Sequence, residues 1–220
     1  STTYMSRGEP HAPFDDVSLE LSAGGVYDLT GPSGSGKTTL LRVCARMLPS
    51  TSGTLRIEGA DAGSMPPAQW RRRVCLVPQQ CTLVPGTVGD NLRLPWTLRI
   101  NAGSRPPDDA ELARLLCAVD LGDVGCGTDA SQLSGGQQAR VALLRAFATR
   151  PRVLLLDEVD AALDDDSAMA VGRLCRSLAA EEGCAVVRIR HRPPDGMADA
   201  VFVLADGVID RTETGGGDAS

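Results

Sequence analysis

The stretch Gly31-Pro-Ser-Gly-Ser-Gly-Lys37-Thr38 decides how this chain folds. It follows VYDLT at 26–30, a short strand-like run, and leads into residues 37–47, where Leu40, Leu41, Cys44 and Met47 recur at helical spacing on one face. Glycines at 31, 34 and 36 let the backbone wrap an anion with its N–H groups turned inward, at a helix N-terminus whose dipole favours negative charge. Lys37 is placed to reach the β and γ phosphates of ATP, and the Thr38 hydroxyl to ligate Mg²⁺. A glycine-rich loop alone is a weak signal. The full GxxxxGKT pattern between a strand and a helix is a specific one. The nucleotide-binding residues so read are Gly31, Ser33, Gly34, Ser35, Gly36, Lys37, Thr38 and Thr39, with ATP and Mg²⁺ as the cofactors.

Outward from the loop, strand-like and helical runs alternate. VSLEL (17–21), TLRIEG (54–59), RRVCLV (72–77) and AVVRIR (185–190) read as strands, and 137–149 and 167–182 as helices. VFVLADGVI is a hairpin-like pair turning at Asp206-Gly207. Several strands are apolar throughout, which argues for a largely parallel α/β sheet covered on both faces. The middle differs: 87–100 is partly helical, NAGSRPPDD is rich in breakers, and a helix starts at Asp108 or Asp109 and stops near Gly122. The expectation is a single domain over 1–210, a mostly helical insertion at about 87–145, and a flexible tail at 211–220.

Two more motifs carry chemistry. In Val153-Leu-Leu-Leu-Asp157-Glu158 an apolar strand delivers a carboxylate to the carboxyl edge of the sheet, where open α/β folds bind ligands. Asp157 would hold Mg²⁺, directly or through water, and Glu158 would polarise the attacking water as general base. Leu133-Ser134-Gly135-Gly136-Gln137 opens a helix. It reads either as a second phosphate cradle or as an N-cap with a tight turn, and its chemistry alone does not choose.

At this pentapeptide the chain resembles the ABC ATPase family, whose signature it matches in full, and the resemblance spans nearly the whole chain. It implies a P-loop NTPase core with a mostly parallel sheet, a small antiparallel β part and a helical insertion. It also implies a head-to-tail homodimer, in which Ser134, Gly135, Gly136 and Gln137 of one subunit close over ATP held by the P-loop of the other. Further motifs follow in family order. Gln79 in LVPQQ matches the glutamine that contacts Mg²⁺ or the water and relays closure to a membrane partner. AALD at 161–164 matches the loop whose aspartate, here Asp164, faces the second subunit, and His191 matches the switch histidine on the γ-phosphate. Tyr4 is similar in position to the aromatic that stacks on adenine, with His11 and Phe14 as alternatives. The resemblance thus implies a catalytic set of Glu158, His191, Gln79 and Lys37, and metal ligands Thr38, Gln79 and Asp157. Two positions depart from the family pattern. Val159-Asp160 follows the catalytic glutamate, setting a third acidic side chain beside the Mg²⁺ region or toward the second subunit, and Arg192-Pro-Pro follows the histidine.

Composition narrows the partners. A net charge of -6 gives no electrostatic case for nucleic acid, and the one basic run, Arg71 to Arg73, reads as a solvated helix end or strand entry. Of 22 basic residues only Lys37 is lysine. The seven cysteines, 44, 75, 81, 117, 126, 175 and 184, lack the paired spacing of a zinc site and suit a reducing compartment; several, Cys44 and Cys117 among them, lie in apolar segments and read as small buried hydrophobes. No run approaches the roughly 18 apolar residues of a membrane span, and no signal peptide is expected. Membrane work therefore falls to a separate multi-span permease, with this chain peripheral on the cytoplasmic face of the inner or plasma membrane.

DNL-x-x-PW at 90–96 is similar to the ATPase subunits of iron-exporting bacterial ABC transporters, which implies metal export. The alternatives are a soluble ABC ATPase with a non-transport partner and a non-catalytic ATP-binding module. A translation factor would carry two such domains, and a DNA-repair ATPase a long coiled coil for which Gln79 to Ser134 leaves no room. Intact Lys37, Asp157, Glu158 and His191 argue against the module. By resemblance, the membrane contact lies along Gln79 to Val84 and Val88 to Trp96, where Leu83, Val84, Leu92, Leu94 and Trp96 are apolar.

Overall fold

The computed structural model describes residues 4–6, 9–11, 14, 17–80 and 82–214. In chain order, β1 (Tyr4–Ser6) and β2 (Glu9–His11) pair as an antiparallel hairpin, with Tyr4 opposite His11. Then come β3 (Val26–Thr30), α1 (Lys37–Cys44), a second small hairpin of β4 (Arg56–Ile57) and β5 (Ala60–Asp61), α2 (Pro67–Arg73) and β6 (Val74–Val77). Helices α3 (Val88–Arg93), α4 (Asp109–Cys117) and α5 (Gly135–Phe147) follow, then β7 (Val153–Asp157), α6 (Asp165–Glu182), β8 (Ala185–Ile189), β9 (Ala200–Ala205) and β10 (Val208–Glu213).

Six strands form the central sheet in the order β10-β9-β3-β8-β7-β6, parallel except for β10. Side chains alternate across a strand, so one apolar run feeds two layers. Leu154, Leu156 and Val186 pack with Leu116, Leu144, Phe147 and Leu174, while Leu155, Val187 and Ile189 pack with Leu29, Leu41, Trp70 and Phe202. Burial on both faces is why VLLLD and AVVRI carry almost no polar residue. The α/β expectation, with a mostly parallel sheet, small antiparallel parts and inserted helices, is met. The β9–β10 turn takes positive φ at Asp206 and Gly207 (50° and 78°), matching strand twist as the DG reading expected.

Each inserted helix starts on a reciprocal cap. Thr87 with Asp90, Asp108 with Glu111 and Ser134 with Gln137 satisfy two otherwise orphaned N–H groups apiece. The partly helical stretch 87–100 breaks at Pro95: α3 stops at Arg93, and two 3-10 turns, Leu94–Thr97 and Arg99–Asn101, complete it.

Several expectations need correction. VSLEL forms no strand; Val17, Leu19 and Leu21 instead lean half-buried on the core without a ladder partner. TLRIEG contributes only β4, which turns back at once on β5. The first helix ends at Cys44, because Arg46 goes left-handed (φ 52°), and Met47 is exposed rather than on the buried face. The prolines at 66 and 67 start a helix, α2, whose buried Trp70 donates from Nε1 to Cys44 O at 2.7 Å. Arg71 to Arg73 form its last turn, where the helix dipole favours cations. Strand β10 runs through Glu213, past the point where a tail was expected, since Glu213 still pairs with Ala200; residues 215–220 lie outside the described residues. Desolvation pushes the buried Cys175 and Cys184 thiols up to about 12 and about 11, so both behave as small apolar residues, whereas Cys117, at the last turn of α4, is exposed rather than buried. Among the described residues, no helix is long and apolar enough to cross a membrane.

Candidate functional site

The carboxyl ends of β3, β6, β7 and β8 carry the residues singled out in the sequence. After β3 the chain turns through Gly31 at φ 137°, where a Cβ would come within 2.1 Å of Leu204 O. Only glycine fits there. Gly34 and Gly36 also hold positive φ, with Ser33 and Gly34 exposed at the crest of the loop and Thr39 half-buried below it. Lys37 is buried, and its Nζ donates to Gly31 O and Pro32 O at 2.9 Å each. A buried ammonium needs acceptors, and phosphate oxygens are stronger acceptors than carbonyls for the same three donors. Ser35 Oγ is buried without a hydrogen-bond partner, a donor available to an anion in the same cradle.

Next to Lys37, Thr38 Oγ1 donates to Asp157 Oδ1 at 2.8 Å. Burial pushes the Asp157 carboxyl above its ordinary range, and the Thr38 hydrogen bond works against that rise. A buried carboxylate beside a hydroxyl is a donor set that suits a hard divalent cation.

Glu158 leaves the end of β7 with φ 53°, a left-handed backbone that costs a side-chain-bearing residue on the order of 1–2 kcal/mol. Two side chains hold it there. Gln79 Nε2 donates to Glu158 Oε2 at 2.9 Å, and His191 Nε2 lies 2.8 Å from Glu158 Oε1. Three of the four residues expected to be catalytic, drawn from three separate segments, thus meet in one cluster.

Ser134 and Gln137 engage each other's backbone: Gln137 N donates to Ser134 Oγ at 3.3 Å and Ser134 N to Gln137 Oε1 at 2.9 Å. Within one chain this segment is an N-cap, with Ser134 and Gly135 exposed and Gly136 half-buried. Asp164 is likewise exposed and caps α6, accepting from Ser167 N and Oγ; those bonds hold its carboxyl below the ordinary range. Tyr4 and His11 belong to the first hairpin, but their side chains lie outside the described residues. Phe14 is buried in the core layer with Tyr27 and Phe202, where it has no face to offer adenine.

Asp160 occupies neither place suggested for it. It is 6 % exposed, and its Oδ2 accepts from Arg190 Nε at 2.9 Å. The two join Asp28, Arg188 and Asp195 in a buried charged cluster that the motif reading missed. Its signal was present: an aspartate in the apolar run VYDLT, and arginines at alternate positions of AVVRIR.

Beside this site, a groove of about 460 Å³ runs between β6 with α2 and the segment Leu94, Pro95, Leu98 and Ile100. Of the residues expected at a membrane contact, Leu94 lines it. Leu92 is fully buried in the core and Leu83 packs against the same layer, while Trp96 faces a different surface groove.

A family model described as ABC transporter matches residues 14–161. Over 191 residues the chain is 36% identical to the Probable iron export ATP-binding protein FetA of Escherichia coli, covering 86% of this chain and 83% of that one. It is 35% identical over 192 residues to the Methionine import ATP-binding protein MetN of Desulfitobacterium hafniense, again 86% of this chain but 56% of the relative, so it spans little more than half of that protein. Among solved structures it is similar to the dimeric bacterial ABC transporter cassette MJ0796, with TM-score 0.82, 26% identity, and 98% and 97% of the two chains covered.

Proposed function

The chain belongs to the ABC transporter family, and from that premise we propose that it is an ATP-hydrolysing nucleotide-binding subunit that closes head to tail on a second copy and drives a separate multi-span membrane subunit. One observation carries the catalytic part: Glu158 is gripped by Gln79 and His191 directly beyond the Thr38–Asp157 pair.

In this reading Lys37 and the N–H groups from Gly31 to Thr39 bind the phosphates, and Ser35 Oγ adds a donor. Thr38, Gln79 and Asp157 would hold Mg²⁺, which when bound neutralises charge on the phosphates. Glu158 takes the proton of the attacking water at a carboxylate oxygen. Gln79 and His191 fix that carboxylate and prevent it from swinging into solvent, and His191 also reaches toward the γ-phosphate. Ser134, Gly135 and Asp164 are exposed, and Gly136 and Gln137 half-buried beside them, which supports the role of these five residues on ATP held by the P-loop of a second copy. Tyr4 remains the proposed adenine-stacking residue. The domain reading, one unit with a helical insertion at about 87–145, fits this scheme.

The groove at Leu94, Leu98 and Ile100 is the proposed seat of the membrane subunit, which would hold the chain on the cytoplasmic membrane face. Metal export is the finer reading of cargo. It rests on DNL-x-x-PW and on similarity to a protein named for probable iron export, while a relative named for methionine import is almost equally similar.

Closure is tested with Glu158→Gln and ATP in a light-scattering concentration series. A mass doubling that needs ATP supports the reading, and a monomer at the highest soluble concentration contradicts closure of the free subunit.

A further inference from the structure

Strands β7 and β8 run side by side, with Asp157 opposite Ile189 as their last pair. Beyond it the two chains leave the sheet as the segments that carry Glu158 and His191. Strand alternation sends residues 188 and 190 to one face and 189 and 191 to the other. His191 therefore emerges toward the site while both its arginine neighbours within β8 and just past it turn toward α6. There Arg188 Nε donates to Asp28 Oδ1 at 2.7 Å, and Arg188 grips Asp195 through Nη1 and Nη2 at 2.9 and 3.0 Å. Arg190 Nη1 lies 2.7 Å from Asp195 Oδ2, and its Nε donates to Asp160. Helix α6 makes room with Gly172, where a Cβ would stand 2.9 Å from Asp195 Oδ2.

The next residue repeats the pattern at the surface. Arg192 donates from Nε to Asp160 O at 3.2 Å, from Nη1 to Asp165 Oδ1 at 2.5 Å, and from Nη2 to Leu163 O. Both neighbours of His191 are thus bonded to the segment that begins at Glu158. Buried ion pairs are poor evidence for stability, since desolvation offsets their attraction, but their directed hydrogen bonds fix geometry, here from Arg188 and from Arg190 Nε, while Arg190 Nη1 makes a charge contact without a hydrogen bond. What this one fixes is the separation of two strand exits whose functional side chains meet at 2.8 Å.

We infer that Asp160, Arg190 and Arg192 are positioning residues that hold His191 and Glu158 in register, and that the two departures from the family pattern, at Asp160 and Arg192, belong to one clamp. The inference rests on the catalytic reading of Glu158 and His191 proposed above. The bonds of the clamp reach no residue of the Gly31–Thr39 cradle and act on phosphate only through His191, so its loss acts on turnover far more than on nucleotide affinity.

The test measures steady-state ATP turnover of the purified chain for Asp160→Asn, Arg190→Gln and Arg192→Gln, each alone and combined with His191→Ala. Misplacement of a catalytic group by about 1 Å lowers rates by up to about 10²-fold, so kcat should fall about tenfold or more while KM for ATP changes less than about twofold. In the His191→Ala background the same substitutions should add almost nothing, because they act through the missing ring. If Arg190→Gln does not fold, Arg192→Gln, at a partly exposed position, carries the same cycle. Unchanged kcat, a parallel rise in KM, or a full additional loss in the His191→Ala background overturns the clamp. A His191→Ala chain as fast as the parent overturns the catalytic reading itself and the clamp with it.

Discussion

The Thr38 hydroxyl donates to Asp157 Oδ1 at 2.8 Å, which joins the first turn of α1 to the carboxyl end of β7 and brings two hard oxygen ligands together on a rigid edge. Replacing Thr38 with Val removes one of the oxygens proposed to ligate Mg²⁺ and leaves the buried carboxylate short of a donor. The unfolding free energy should drop by roughly 1–3 kcal/mol, and ATP turnover should need more Mg²⁺. Urea melts and a Mg²⁺ titration of turnover read the two effects, and an unchanged Mg²⁺ midpoint would remove Thr38 from the metal site.

Gly172→Ala tests the packing of the buried charged cluster. Alanine in a helix interior gains up to about 1 kcal/mol over glycine, but overpacking a close site costs about 1–3 kcal/mol. The atom it meets, Asp195 Oδ2, is held by Arg188 and cannot move aside freely. The expected net result is a loss of about 1 kcal/mol in a denaturant melt; a more stable variant would show that the cluster yields.

The groove prediction separates a contact residue from a core residue. Leu98 is 56% exposed and lines the groove, whereas Leu92 is completely buried. Leu98→Asp should leave the melting transition of the free chain in place and abolish co-purification with the membrane subunit. Leu92→Ala should destabilise the free chain by about 2–5 kcal/mol. Full co-purification of Leu98→Asp would move the membrane contact elsewhere.

How far the sequence discloses this molecule depends on whether the information is local. Strand β7 and the loop at Gly31 to Thr38 are encoded in contiguous residues and are legible, while the cap at Ser134 is one of two readings that its pentapeptide leaves open. The Gln79–Glu158–His191 cluster joins three segments, and resemblance was needed to expect it. VSLEL misled because alternation reports one buried face, not a ladder partner. Pro67 opens α2 behind Pro66, because proline at a first helical position is favourable although the pair looks like a break in the chain. Asp160 was misread because its partner, Arg190, is adjacent only once β7 and β8 are side by side.

Acid stability follows from the carboxylates. Burial works against ionisation of Asp195, but the hydrogen bonds and charge of Arg188 outweigh it and hold that carboxyl below its ordinary range; the cap at Ser167 does the same for Asp164. A depressed folded-state value contributes stability above the unfolded value near 3.9, lost as pH falls through the folded one. Asp28 and Asp157, raised by burial, act in the opposite sense and gain protons before the others. Stability should therefore hold or rise slightly from neutral pH down to about 4 and fall below it. Urea melts across that range check this, and Asp195→Asn should weaken the acid dependence. A loss already complete by pH 6 would contradict the assignment.

The central claim is that Glu158 is the general base of an ATPase, and the most direct measurement is steady-state turnover of Mg-ATP by purified Glu158→Gln beside the parent chain, with nucleotide affinity measured in parallel. The account predicts turnover at least about 10²-fold slower with ATP affinity nearly intact, the lower range for loss of a positioned proton acceptor. Turnover close to that of the parent would contradict it.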